Sequence, residues 1–312
     1  MNTSFFKLNK NGLINLFIIY IVWGSTYLAI RVTVREGAGF TPFTMGATRL
    51  LLSGFLLLGW NIIRGGHIHL SRKDLTRLLV SSILLWFLGN GFVMLAEQRA
   101  SSGLTALILA STPIWVAMMD SVYQKRLPSL LLVSSLIIGT GGIFVLSLPV
   151  LLNGVRADFF SIIALLIAAF CWGAGTFYQS KNPINLSPTV SSGYQMIFGG
   201  ISFTLMAVFF QNPIPSPNLE AWLAWAYLVF IGSIIAFTAF IQAVRLLPPG
   251  IVTTYGYVNP IIAVFLGWLI LNEDITIWTF LGAFFVLAGV TGVFQSNAKN
   301  RASRYHSDVE KI

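Results

Sequence analysis

Ionisable and amide side chains are rare inside the apolar runs of this chain, so the few present mark where chemistry could occur. Arg49 interrupts the run 41–63, and Asp120 sits near the end of the run 101–124. A charge held at bilayer depth is expensive and is a functional candidate by default. Each also has a structural alternative. Arg49 could satisfy backbone carbonyls or Glu97, and Asp120 could pair with the neighbouring Lys125 or Arg126 instead of coupling transport to protons. Helical spacing gathers the remaining polar and aromatic residues into stripes. Tyr20, Trp23, Tyr27 and Arg31 share one face; Trp86, Asn90 and Glu97 another; then Trp172, Thr176 and Gln179; Thr238, Gln242 and Arg245; and Tyr255 with Asn259. Any one of these residues could serve ordinary helix–helix hydrogen bonding. Together they suit a pocket with aromatic walls and amide groups, Asn90, Gln242 and Asn259 orienting the polar ends of a neutral or zwitterionic organic solute.

Other chemistries lack their residues. There is one cysteine, Cys171, within an apolar run, and the three histidines (His67, His69, His306) fall in polar segments. No metal site, disulfide framework or cofactor is expected. The runs hold no Ser/His, Cys/His or paired-Asp set, so an enzyme is not expected. With no GxxxxGK[ST] run and no soluble segment large enough for a nucleotide-binding domain, ATP-driven transport by this chain alone is excluded. The net charge of +9 is spread between apolar runs, not concentrated in one patch, which argues against nucleic acid.

The elements that must position these residues follow from composition. Of 312 residues, 56% are hydrophobic and 9% charged, with mean hydropathy +0.79. Soluble domains carry roughly 25% charged residues, so the chain reads as an all-α, multi-pass membrane protein. Ten runs approach the ~20 apolar residues a bilayer helix needs: 12–34, 41–63, 75–96, 101–124, 129–150, 157–180, 188–210, 219–246, 249–272 and 275–295. The first is too long for the apolar core of a cleaved signal and is expected to be retained. Lys7, Lys10, Arg64, Arg72, Lys73, Arg77, Lys125, Arg126, Lys181, Arg245, Lys299, Arg301, Arg304 and Lys311 fall on one side. Only Arg31, Arg35, Arg99 and Arg156 fall on the other. The positive-inside rule then places both termini in the cytoplasm. The polar stretch 296–312 is expected to be an irregular cytoplasmic tail.

The chain also repeats itself. Displaced by 147 positions, Gly103 meets Gly250, Pro113 meets Pro260, Ser135 meets Gly282 and Gly142 meets Gly289. WGSTY at Trp23 answers WGAGT at Trp172 after a two-residue loop gap. The repeats occupy 12–150 and 157–295. An odd number of spans in each, five, inverts the second copy relative to the first, as in secondary transporters whose site lies between the halves near the midplane. Pro113 and Pro260 occupy corresponding spans and free the carbonyls of Leu109 and Gly256. In lipid those carbonyls need protein or water, so the prolines are expected to act as hinges beside a polar cavity.

WGSTYLAIR, TPFTMGATRL, SGLTALILASTPIW and PGIVTTYGYVNPIIAVFLGWLILNE together resemble the EamA-type members of the drug/metabolite transporter superfamily, over nearly the whole chain. The resemblance implies ten helices, a central cavity lined by spans 1, 3, 4, 6, 8 and 9, and efflux of small metabolites, often amino acids, across the cell (plasma or inner) membrane. The acid closing the ninth span is present as Glu273, but its counterpart after span four is Arg126. The expected activity is that of a secondary exporter working by alternating access, with Trp23, Tyr27, Asn90, Thr112, Trp172, Thr176, Gln242, Tyr255 and Asn259 lining its cavity. A passive channel and a non-transporting membrane scaffold are the alternatives.

Overall fold

A computed structural model describes residues 8–100, 102–152, 159–271 and 277–309. Helices α1 to α10 span Lys10–Val34, Pro42–Ile63, Arg72–Glu97, Leu104–Gln124, Leu130–Leu152, Phe159–Lys181, Pro188–Phe209, Leu219–Leu246, Tyr255–Leu271 and Ile277–Val309. No strand occurs among the described residues. Eight of the helices are long and apolar enough to cross a membrane. Within α5, Leu130–Val145 forms a shorter apolar stretch.

Local sequence sets the helix starts. Thr41 caps α2 through a reciprocal capping box with Thr44, and Ser187 caps α7 by accepting from the Val190 N–H; each is followed by a proline. The hydroxyl satisfies an orphan amide, and proline at the first position has no amide to lose. Ser71 and Asn218 cap α3 and α8 in the same way.

The bundle is oily outside as well as inside. Phe17, Trp60, Ile63, Phe144, Leu205 and Phe284 point outward and are more than half exposed, a surface that suits hydrocarbon and not water. Two helix pairs pack most extensively: α2 against α7, and α5 against α10. Each joins corresponding members of the two repeats. A Cβ at Gly289 of α10 would lie 2.6 Å from the backbone of Gly139 on α5, so the backbones touch there without side chains between them.

Four helices depart from regular runs. Residues Ile83–Asn90 of α3 and Leu228–Ile235 of α8 are π-helical, at the same place in the two repeats. Such segments are uncommon and gather at functional sites. A turn at 110–111 breaks α4 just before Thr112–Gln124, so Pro113 opens a new helical segment instead of kinking a continuous one. The ninth apolar run is interrupted at 253–254, immediately before α9, and Pro260 lies inside that helix. Both prolines are buried.

The expectation of an irregular tail from residue 296 is corrected: α10 continues through Val309. The stretch NAKNRASRYH contains neither Gly nor Pro and includes several good helix formers. Ser296 is buried, its hydroxyl bonded to that of Ser129 at 2.8 Å.

Candidate functional site

The two Trp-Gly motifs meet. Trp23 on α1 and Trp172 on α6 pack edge to face, ring centroids 5.5 Å apart, at the centre of an aromatic cluster. Tyr255 stands edge-on to Trp23 at 5.0 Å, Phe240 lies 5.2 Å from Trp23, and Trp86 is 6.1 Å from Trp172. Such pairs contribute about 0.5–1.5 kcal/mol each beyond area burial.

Beside this cluster is a cavity of about 60 Å³, room for a few waters and no more. Trp23, Tyr27, Asn90, Thr112, Trp172 and Tyr255, all expected from sequence, line it, and so does Arg49. Three expected residues do not. Thr176 is fully buried and returns its hydroxyl to the Trp172 carbonyl at 2.8 Å. Gln242 lies elsewhere on α8. Asn259, one layer behind, is oriented by its bonding network so that its nitrogen donates to the carbonyls of Tyr20 (3.2 Å) and Tyr255 (3.0 Å). Tyr27 bonds to the same amide. Asn259 thus ties α1 to α9 behind the cavity wall.

The π segment of α8 explains the most distinctive contacts. Its widened turn offers the Gly232 carbonyl to the Trp23 indole N–H at 3.3 Å, and the Ser233 hydroxyl accepts from Arg49 Nε at 2.8 Å. A Cβ at Gly232 would meet Thr26 at 3.1 Å. The guanidinium also lies 5.4 Å from the centre of the Trp86 ring, a cation–π contact. Among the described residues Arg49 bonds neither Glu97 nor a backbone carbonyl, the two partners sequence suggested. Trp86 lies on a stripe that helical spacing already marked, whereas Gly232 and Ser233 carry no local signal of this role; the π segment that holds them sets them apart.

Several polar atoms at the site are buried and unbonded: Arg49 Nη1, the indole N–H groups of Trp86 and Trp172, and the Tyr255 hydroxyl. Trp172 and Tyr255 face each other without closing a hydrogen bond of normal geometry. Buried polar groups are nearly always paired, so this concentration of unpaired ones is informative.

Gly256 meets the break before Pro113 across the repeat. A Cβ at Gly256 would lie 3.5 Å from the Leu109 carbonyl and 3.7 Å from the Pro113 ring. The Leu109 carbonyl accepts from the Thr112 hydroxyl at 2.7 Å, which satisfies the first of the two carbonyls in question.

The two ends of the bundle differ. At one, Ser216 N–H donates to the Gly39 carbonyl (3.1 Å), Asn218 N–H to that of Ala38 (3.2 Å), and Arg35 pairs with Glu220. Gly39 has φ +92°, and a side chain there would run into the Ser216 backbone. At the other end a polar recess of about 200 Å³ opens among Asp120, Gln124, Arg126, Pro249 and Asn297. Asp120 pairs there with Lys181 of α6 at 3.1 Å and bonds Gln124, so its partner is neither Lys125 nor Arg126.

The EamA-like transporter family profile matches this chain twice, over residues 10–148 and 159–295. An uncharacterized inner membrane transporter of Escherichia coli, YedA, is 32% identical over 81% of this chain and 80% of its own length. A Chlamydia trachomatis protein named as an S-adenosylmethionine/S-adenosylhomocysteine transporter is 24% identical over 83% of this chain and 82% of its own. A protein of known crystal structure superimposes with a TM-score of 0.73, covering 93% of this chain and 98% of that one at 17% identity, a likeness of fold.

Proposed function

The chain belongs to the EamA-like transporter family of the drug/metabolite transporter superfamily, and on that premise we propose that it exports small neutral or zwitterionic metabolites, amino acids among them, from the cytoplasm by alternating access. It is a multi-pass protein of the inner membrane. We read its ten helices as ten crossings in two inverted halves, with boundaries near 12–150 and 157–295 and both termini cytoplasmic. Contacts between corresponding elements support this: Trp23 with Trp172, Leu109 with Gly256, α2 with α7, α5 with α10. Elements lying on a two-fold axis touch their own counterparts.

The observation that carries the functional reading is the aromatic cavity at that seam. Its 60 Å³ is too small for an amino acid. Solute binding therefore requires Trp23, Trp172 and Tyr255 to move apart, and closing them again expels water from the site. The paired loops at the Gly39 end and the recess at the Asp120 end fit a protein shut toward the outside and partly open to the cytoplasm. Pro113 and Pro260 adjoin the surfaces that would shift, which supports a hinge role.

The test is a flux screen in proteoliposomes, of amino acids and, given the relative's name, S-adenosylmethionine, with and without a pH gradient. Saturable flux that falls at least about tenfold in Trp172→Ala or Asn90→Ala, with folding retained, is the expected result. Flux that does not saturate would indicate a channel. Labelling of a cysteine placed in loop 64–74 from the outside would reverse the orientation.

A further inference from the structure

A buried guanidinium ordinarily brings an anion into the protein with it. Arg49 does not. It is 3% exposed, and its hydrogen bond uses Nε and goes to a neutral hydroxyl. Among the described residues no carboxylate lies within ion-pair distance of it. The buried acid that might have served, Glu97, lies at the end of α3 and faces Arg31 and Thr105. Arg49 Nη1 is left buried and unbonded at the cavity, and so are the indole N–H groups of Trp86 and Trp172. All three can only donate. They come from three helices, α2, α3 and α6, whose residues line one cavity; the Trp172 N–H faces the Tyr255 hydroxyl, and Arg49 Nη1 and the Trp86 N–H have no acceptor among the described residues. Stabilising α2 against α8 requires only Nε, so the packing of Arg49 does not account for the rest of the group.

We propose that these donors are the recognition point for a carboxylate on the transported solute, with Arg49 supplying the compensating charge and Trp86 and Trp172 the flanking N–H groups. This rests on the transport reading above and adds to it the group by which the solute is selected. A carboxylate fits better than a phosphate because, among the described residues, Arg49 is the one cation lining the cavity, and a phosphate dianion would retain uncompensated charge. Among the described residues, no Asp or Glu lines the cavity to select an ammonium group. The site thus reads the acid end of an amino acid and passes over its amine.

Four compounds of one shape separate the terms: phenylalanine, 3-phenylpropionate, phenylalaninamide and phenethylamine. Binding to the purified full-length protein is followed by tryptophan fluorescence, since Trp23, Trp86 and Trp172 surround the cavity. The two acids should bind saturably, and the amide and the amine at least about tenfold more weakly. Arg49→Gln should abolish the preference, and Arg49→Lys should retain part of it. The proposal is overturned if the amide binds as tightly as phenylalanine, if neither acid binds, or if Arg49→Gln binds the acids like the wild type. Should Arg49→Gln not fold, the phenylalanine and phenylalaninamide pair on the wild-type protein decides alone. Flux of the same compounds is scored separately. Acid binding without flux would end the transport reading and leave carboxylate recognition standing; flux blind to the acid group would do the reverse.

Discussion

The α2 helix of the first repeat and the α7 helix of the second begin alike and diverge one helical turn or two later. Thr41-Pro42 and Ser187-Pro188 both supply a hydroxyl cap followed by proline, with a reciprocal capping box at Thr41 alone of the two. Arg49 and Gln195 then stand at matching positions, each seven residues beyond its proline, both buried and both with unbonded side-chain atoms. Arg49 opens onto the cavity, whereas Gln195 does not. The same contrast runs through the whole lining. The first repeat contributes Trp23, Tyr27, Arg49, Trp86, Asn90 and Thr112, while the second contributes Ala168, Trp172 and Tyr255. Backbone features, meaning the caps, the prolines, the π segments and the close glycines, recur in both repeats, and beyond the Trp23–Trp172 pair the chemistry of the lining does not. On the transport reading proposed above, a two-fold scaffold that binds a solute with no two-fold axis would have reason to differentiate its side chains.

The largest effect should test the shared backbone. Gly142 and Gly289 correspond, and a Cβ on either would come within 2.6 Å of backbone atoms on the facing helix. Gly142→Val and Gly289→Val should each destabilise by about 3 kcal/mol or more and to a similar degree, read as lost thermal stability in detergent. Gly141→Ala, with nothing within 4 Å, should leave stability unchanged. Unequal losses from the paired variants would break the equivalence.

Next comes the lining. Arg49→Leu should reduce flux by about tenfold or more. Gln195→Leu should keep flux within about twofold and raise stability by about 1 kcal/mol, because it removes a buried, unsatisfied amide. Equal losses of flux would show that the two positions act alike.

A smaller difference should separate the touching tryptophans. Trp23→Phe gives up the hydrogen bond to Gly232, and Trp172→Phe loses none. Trp23→Phe should therefore be the less stable by about 1 kcal/mol in thermal or denaturant unfolding, while Trp172→Phe should be seen mainly in solute binding. The least effect is expected at Thr112→Val, which frees the Leu109 carbonyl, for about 0.5–1.5 kcal/mol and unchanged solute selectivity in competition assays.

Helices, their order and the doubling of the unit could be read without coordinates, because hydrocarbon demands long apolar runs and permits few charges. Six of the nine expected lining residues were identifiable for the same reason: a polar or aromatic face on an intramembrane helix has nowhere to go but inward. Thr176 and Asn259 satisfied that rule just as well, yet they face other helices instead of the cavity. Periodicity fixes which side of a helix is buried, and it does not say what that side is buried against.

What the sequence alone determined is the solvent this protein lives in, the number and register of its apolar segments, and the matching of its first half to its second. Those follow from local composition and from comparing the chain with itself. The tertiary structure decided that Arg49 meets Ser233 and not Glu97, that Asp120 pairs with Lys181, that the π segment of α8 turns a carbonyl and a hydroxyl toward the centre, and that the tail remains helical. The physical reason is that such partners lie far apart along the chain, up to 209 positions for Trp23 and Gly232. Their meeting depends on how helices cross, which no single segment encodes.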